Sequence, residues 1–191
     1  MRTAFITISI LLLSTIANAA AVKVPSGSTA MIDGRCPASE WSDAAKASVT
    51  ADYQILFKKT SDHLLICIDG SQESSLMMDL YFSPNENDLY TFHSSAKLGE
   101  RKLEGNSWIE FRTDWPWWNI SGWTANTRRF NSRETQPWFL PNKAVEYQIS
   151  RKHFGGRTWR VMFDFLGLDK PIVFPTEADK LDRGTWLELK L

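Results

Sequence analysis

Short segments in which apolar and polar residues alternate recur along most of the chain, and this pattern limits the fold more than any other feature. Successive side chains of an extended strand point to opposite faces, so each segment has one apolar and one polar face. Turn-forming sequences such as Asp69-Gly70-Ser71 and Gly155-Gly156 separate the segments. The chain is therefore predicted to be all-β, an antiparallel two-sheet β-sandwich of jelly-roll-like form.

The alternating segments also predict which side chains form the core. Helix signals are weak and indicate only one or two short helical turns, within 38–47 and 178–181. The residues expected to face inward are Leu64, Ile66 and Ile68; Leu76, Met78, Leu80 and Phe82; Ile109 and Phe111; Val145, Tyr147 and Ile149; Trp159, Val161, Phe163 and Phe165; Leu187, Leu189 and Leu191.

Residues 1–19 have the organisation of a secretory signal peptide. The charge of Arg2 precedes an apolar run over 4–16, and Ala17-Asn18-Ala19 supplies the small residues of a cleavage site. The run is too short for a bilayer, which needs about 20 apolar residues. We expect a single domain over 20–191 that has no membrane association after cleavage and is periplasmic or extracellular.

Cys36 and Cys67 are the only cysteines of the chain. In an exported protein such a pair favours a disulfide, which would close a loop of about 30 residues and stabilise the fold by roughly 3–4 kcal/mol. Two buried free thiols are the alternative. A metal site is not expected, because two cysteines without nearby histidines lack ligands.

Six of the nine tryptophans lie between Trp108 and Trp138, and the densest stretch runs from Asp114 to Trp123. Pro116 and Gly122 are typical of irregular chain, which would present these rings on the surface. Sugar C–H faces pack on aromatic rings and an indole N–H can donate a hydrogen bond; closure of one end of the core is the alternative role. The candidate ligand-binding residues are Arg112, Asp114, Trp115, Trp117, Trp118, Asn119, Trp123 and Trp138.

Charge and motifs exclude several functional classes. The chain has 22 basic and 22 acidic residues, and this balance argues against a nucleic-acid partner. It lacks a Gly-x-Ser-x-Gly motif and a phosphate-binding loop, so an enzyme is not expected; Glu110 with Asp114 is the only carboxylate pair considered for glycoside hydrolysis. No cofactor is expected, with structural calcium left open at the turn acids Asp69, Asp88 and Asp169.

Several segments together resemble family 9 carbohydrate-binding modules. Met31-Ile32-Asp33-Gly34 with Glu40-Trp41 is similar to the opening of these modules, and later segments follow in the same order up to Leu191. The later segments are 62–68, 79–85, 145–150 and 174–189. The resemblance implies a β-sandwich shared with DOMON-like domains, a turn at Asp33-Gly34, and Trp41 and Trp186 in or near the core. Characterised members bind sugar ends between two tryptophans on loops.

The function predicted from these features is that of an exported, non-catalytic carbohydrate-binding protein whose Trp-rich loop stacks on sugar rings. A structural or partner-binding envelope protein of the same fold is one alternative. A haem-binding DOMON-like domain is another, with an axial methionine and an axial histidine. The residues considered for those axial positions are Met77, Met78, His63, His93 and His153.

Overall fold

A computed structural model describes residues 21–95, 98–113, 119–124 and 141–191, with Trp123 and Thr124 described by their backbone only. These residues form two sheets packed as a sandwich, as the alternation predicted. The large sheet has eight strands in the order β1-β13-β11-β5-β6-β7-β8, and β12 pairs with β11 beside β13. Its strands are β1 (Ala21–Lys23), β5 (Met77–Ser83), β6 (Tyr90–Ser94), β7 (Leu98–Glu104), β8 (Ser107–Trp108), β11 (Thr158–Leu166), β12 (Ile172–Phe174) and β13 (Leu187–Lys190).

The small sheet has five strands in the order β2-β3-β4-β10-β9. Its neighbouring strands are antiparallel, whereas in the large sheet β1 and β13 pair in parallel. The strands are β2 (Ala45–Ser48), β3 (Tyr53–Lys59), β4 (His63–Ser74), β9 (Ile120–Thr124) and β10 (Asn142–Ser150). Two short α-helices are described, in agreement with the low helix content expected: α1 (Ala38–Trp41) and α2 (Arg151–Phe154). Only α1 lies where a helical turn was expected; 178–181 is not helical, and a 3-10 turn follows it at Arg183–Thr185.

The main core lies between the two sheets and contains most of the predicted inward residues. Aromatic side chains from both layers fill it; the rings of Phe82 and Trp159, for example, meet edge to face with 5.0 Å between their centres. Each such side chain removed from water stabilises the fold by about 1.5–3 kcal/mol.

Each sheet also buries apolar side chains on its outer face. Trp41, Leu65 and Cys67 form one such cluster on the small sheet, beneath residues 27–44, which we call the N-terminal cover. Tyr81 and Trp186 belong to the matching cluster on the large sheet. The expected burial of Trp41 and Trp186 is therefore confirmed, although both lie outside the space between the sheets.

Two further local expectations are wrong. Strand β8 ends at Trp108, so Ile109 is only half-buried and Phe111 is 47% exposed instead of facing the core. The helix expected over 38–47 ends at Trp41, because the following residues pair with β3 as strand β2. Pairing with a neighbouring strand outweighs the weak helical preference of two alanines and a lysine.

Candidate functional site

The Trp-rich segment (residues 114–123) links two edge strands on the same side of the sandwich. Before it, the backbone groups of Arg112 bond with those of Glu100 on β7 at 2.6 and 2.8 Å. Within its second half, the carbonyl of Asn119 accepts a hydrogen bond from the N–H of Ser150 at 2.8 Å. Residues 120–123 belong to β9, the edge strand of the small sheet, and are not the irregular chain that was expected. Both ends of the segment are therefore held by regular structure.

Arg101, Trp108 and Phe111 form a compact surface just before this segment, which we call the Arg101 platform. The guanidinium carbon of Arg101 lies 4.6 Å from the centre of the Trp108 ring and 4.7 Å from the centre of the Phe111 ring. A cation over an aromatic face is worth about 0.5–1 kcal/mol at an exposed site. One cation therefore holds two rings in place, and one of these rings is about half exposed.

The absence of a side chain at Gly99 allows Phe111 to lie against the sheet. A Cβ atom at this position would approach Cδ1 of Phe111 to 3.1 Å, which is closer than such contacts normally allow. Phe111 therefore packs closely on Gly99 of β7, and its ring centre is 5.9 Å from that of His93 on β6. A side chain at position 99 would require the Phe111 ring to move by a few tenths of an ångström.

A row of polar side chains crosses the large sheet next to the platform. Asp164, Asp79, His93 and Gly99 are partners in register on four successive strands. Nδ1 of His93 is 2.7 Å from Oδ1 of Asp79, and its Nε2 is 3.0 Å from the Ser95 hydroxyl. Asp164 is ion-paired at 2.6 Å with Lys180, so both acids of the row have a basic partner.

The neighbouring row contains polar atoms that lack a partner. Thr91 lies opposite Arg101 in register and is fully buried. Within the described residues, neither its hydroxyl nor Nε of Arg101 has a hydrogen-bond partner. A buried polar atom without a partner costs about 1–3 kcal/mol, and such atoms are uncommon away from binding surfaces.

A second ordered region lies on the opposite side of the sandwich, where Glu146 holds the N-terminal cover. Its Oε2 accepts hydrogen bonds from the backbone N–H groups of Asp33 (2.9 Å), Gly34 (2.8 Å) and Arg35 (3.3 Å), and its Oε1 accepts one from the Trp41 indole (3.0 Å). Burial raises the pKa of Glu146 to about 7, although these four bonds act in the opposite direction. The turn expected at Asp33-Gly34 therefore has a structural role, because its backbone N–H groups bind the Glu146 carboxylate.

The N-terminal cover is fixed at two further points. Cys36 and Cys67 form the predicted disulfide, with 6.2 Å between their Cα atoms. The buried Lys58 is ion-paired with Asp43 at 3.1 Å and also donates to the carbonyl of Glu40. These contacts are structural and leave the platform on the large sheet as the better candidate for ligand binding.

The structure places only part of the predicted site. Asp114, Trp115, Trp117, Trp118 and Trp138 lie outside the described residues. The backbone of Trp123 pairs with Glu146 in the small sheet, Arg112 is exposed and Asn119 half-buried. Ligand contacts by these eight residues therefore stay a prediction.

Sequence reasoning missed the remaining members of the surface. Arg101, His93 and Asp79 lie on the outward faces of β7, β6 and β5; His93 was considered only as a haem ligand, and Arg101 and Asp79 were not considered for the ligand site. The available signal was that three consecutive segments each place a charged or titratable side chain on the face opposite the core. Trp108 and Phe111 had been assigned to a core strand that in fact ends at Trp108.

Two of the three turn acids considered for calcium have local partners. Among the turn acids, Asp69 accepts a hydrogen bond from the Gln54 amide and Asp88 is ion-paired with Lys102. Across the described ranges, no three His, Cys, Asp or Glu side chains are grouped so as to hold a metal ion. Met78, considered for haem, is fully buried in the main core.

In the part of the chain that the structure describes, no helix is both long and apolar enough to cross a membrane.

Comparison with known proteins supports the fold. No protein-family model matches the chain, and no curated protein sequence matches it significantly. A crystal structure of a protein from Bacteroides uniformis, for which a carbohydrate-binding role is proposed, has a similar fold with a TM-score of 0.56. The alignment covers 90% of this chain and 98% of that chain at 12% sequence identity. At this identity the likeness extends to the fold alone.

Proposed function

We propose that the protein is an exported, non-catalytic carbohydrate-binding protein. Its ligand face comprises the Trp-rich segment with Trp138, together with the adjoining Arg101 platform. The observation that carries the proposal is the half-exposed ring of Phe111, which Arg101 stacks against and which packs closely on Gly99. A fixed, half-exposed ring offers the apolar surface on which the C–H face of a sugar packs, at little conformational cost on binding.

Three other observations support the proposal. The Arg101 platform adjoins His93 and Asp79, whose polar atoms suit the hydroxyl groups around a sugar ring. The disulfide is typical of proteins that fold in an oxidising compartment, in agreement with the signal peptide expected over 1–19. The fold is similar to that of the Bacteroides uniformis protein, for which the same kind of ligand is proposed.

A glycan array probed with the mature chain tests this function. Binding of a mono- or disaccharide should fall between micromolar and millimolar, about −8 to −4 kcal/mol, and should change tryptophan fluorescence. Phe111→Ala should weaken binding about tenfold, the equivalent of 1.4 kcal/mol, because the sugar loses its stacking surface. Met31→Ala is the matched control, since Met31 is also an exposed large apolar residue but lies in the N-terminal cover on the small sheet.

Variants of the Trp-rich segment distinguish ligand contact from core packing. If Trp117 and Trp118 contact sugar, Trp117→Ala and Trp118→Ala should weaken binding and leave the melting temperature close to that of the wild type. If they fill core space, each change should cost about 3–5 kcal/mol of stability. No glycan response in the wild type, together with loss of stability in both variants, would contradict the proposal and favour a structural or partner-binding role.

A further inference from the structure

A cleft of about 370 Å³ opens on the outer face of the large sheet, away from the Arg101 platform. Its volume falls within the range of small-ligand sites. Arg160 of β11 and Ser83 of β5 are partners in register and lie side by side in its floor. The residues that line the cleft are Ser83, Asn85, Glu86, Thr158, Arg160 and Arg183.

One wall of the cleft is rigid. Nη1 of Arg183 is 2.5 Å from the carbonyl oxygen of Glu86 and 3.4 Å from that of Asn85. The Ser83 hydroxyl, with its single proton, lies within hydrogen-bonding distance of the carbonyl oxygens of Asn85 (2.6 Å) and Asp88 (2.9 Å). The loop over 83–88 is thereby closed on itself, and Arg183 is held against it in a fixed position.

Arg160, in contrast, has no local partner. It is only half exposed, yet within the described residues its guanidinium makes no ion pair and no side-chain hydrogen bond. Glu188, its partner in register on β13, has its carboxylate 3.6 Å from Nζ of Lys190. A partly buried guanidinium with unused donors is well suited to bind an anion, because its planar fork matches a carboxylate or sulfate group.

The charge of the lining favours an anion with neutral hydroxyl groups attached. Arg160 and Arg183 outnumber the single carboxylate of Glu86, so the cleft is net positive. The Thr158 hydroxyl and the Glu86 carboxylate have no side-chain partner in the described part of the chain, and both can bond to hydroxyl groups. An unsubstituted inorganic anion would gain nothing from Glu86, whose charge repels it.

We infer that this cleft binds the carboxylate or sulfate group of an acidic saccharide. Arg160 is the main contact of the anionic group, Arg183 adds positive charge from the rigid wall, and Thr158 and Glu86 contact sugar hydroxyls. The saccharide part of the inference rests on the proposed function, whereas the anion part rests on the cleft itself.

Matched ligand pairs test the inference with the full mature chain at low ionic strength. Calorimetry would compare trigalacturonate with its neutral methyl ester, a sulfated disaccharide with its desulfated form, and inorganic sulfate alone. At least one acidic saccharide should bind about tenfold more tightly than its neutral form, because its carboxylate or sulfate group gains a charge-assisted hydrogen bond from Arg160. Added salt should weaken this preference.

Three variants assign the effect to the cleft. Arg160→Gln should abolish the preference for the acidic saccharide. Arg157→Gln is the matched control, because Arg157 is an exposed arginine near the start of the same strand that does not line the cleft. Glu86→Gln should strengthen binding of the anionic group a few-fold, since removal of a like charge lowers repulsion. If Arg160→Gln weakens binding of the acidic saccharide and Glu86→Gln strengthens it, general destabilisation of the fold cannot explain both results.

Several results would overturn the inference. Equal affinities for both members of both pairs would do so, as would equal effects of Arg160→Gln and Arg157→Gln. If inorganic sulfate binds as tightly as the acidic saccharides, the cleft is a site for free anions, and the saccharide part of the inference is wrong. Glycan binding that depends on Phe111 but shows no preference for either acidic saccharide would overturn this inference alone, and an Arg160-dependent acid preference without any effect of Phe111→Ala would overturn the platform alone.

Discussion

Glu146 shows how one buried acid organises a surface segment far from it in sequence. The side chain is fully buried, and its carboxylate receives three backbone N–H groups and the Trp41 indole. An ionised carboxylate satisfies all four donors, whereas burial favours the protonated form. These opposing effects leave its pKa at about 7, well above the ordinary value of 4.5.

This raised pKa predicts a specific pH dependence of stability. Between pH 4.5 and about 7 the folded protein retains a proton at Glu146 that the unfolded chain has released. Raising the pH through this window should therefore lower the free energy of unfolding, by at most about 3 kcal/mol at 1.4 kcal/mol per pKa unit. Urea denaturation of the wild type at intervals from pH 4.5 to 8 measures the effect.

The Glu146→Gln variant provides the control for this prediction. Its amide does not titrate, so the unfolding free energy of the variant should change less with pH over the same range. It should also be lower than that of the wild type. The overall loss is expected because the amide nitrogen would face backbone N–H groups that need an acceptor. Parallel pH curves for the two proteins would show that another group titrates.

Single residues also explain where sequence reasoning about the site stopped. Phe111 was expected in the core because it follows Ile109 at strand spacing, but the strand ends at Trp108 and the ring lies over Gly99. An edge strand can end at any turn, and alternation alone does not reveal its last residue. Arg160 similarly looked like one member of a polar face, since only the structure shows that it lacks a partner.

At the scale of elements, alternation predicted the strands that have one polar face and was less informative for the others. In β4, the residues between the predicted core positions are buried as well, because the N-terminal cover packs on them. Such strands read as continuous apolar runs, which do not show what covers the second face. The short β2 was missed because its residues carry no strand preference and it forms only by pairing with β3.

The disulfide links the N-terminal cover to β4, and its removal should loosen this element specifically. The mature protein should show no free thiol under denaturing, non-reducing conditions. Reduction should lower the melting temperature by about 6–12 °C, because the disulfide contributes roughly 3 kcal/mol to the stability of a chain of this size. The Cys36→Ala/Cys67→Ala double variant should melt at the same temperature with and without reductant. Labelling of two thiols in every wild-type chain would refute the bridge.

At the scale of the whole molecule, the sandwich was predictable because its two layers impose the same period on almost every segment. The fold agrees with the expected class, and its similarity to the Bacteroides uniformis structure covers nearly the full length of that chain. The outer-face clusters were less accessible to prediction, since they join residues such as Tyr81, Trp108 and Trp186 from distant segments. The residues of these clusters become neighbours only after the large sheet has formed.

Export belongs to this scale as well, because it concerns the chain before it folds. Expression of the full sequence in a bacterium with an intact secretory pathway should yield a protein whose mass corresponds to a first residue of Ala20. Ala19→Arg should block processing, since the peptidase requires a small residue before the cleavage site. Intact mass spectrometry of periplasmic and cytoplasmic fractions measures both results. A wild-type protein that keeps Met1 and stays in the cytoplasm would contradict the assignment.

The parallel pairing of β1 with β13 sets the order in which the chain can finish folding. Ala21 lies opposite Glu188, and the N–H of Val24 donates to the carbonyl of Lys190 at 2.9 Å. Translation produces these partners almost a whole domain apart, so the edge of the large sheet stays open until the last strand has left the ribosome. Contacts between residues this distant in sequence form slowly. A nascent chain of this topology therefore keeps one edge of the large sheet unpaired until β13 has been made, and during that interval the edge can pair with a strand of another chain.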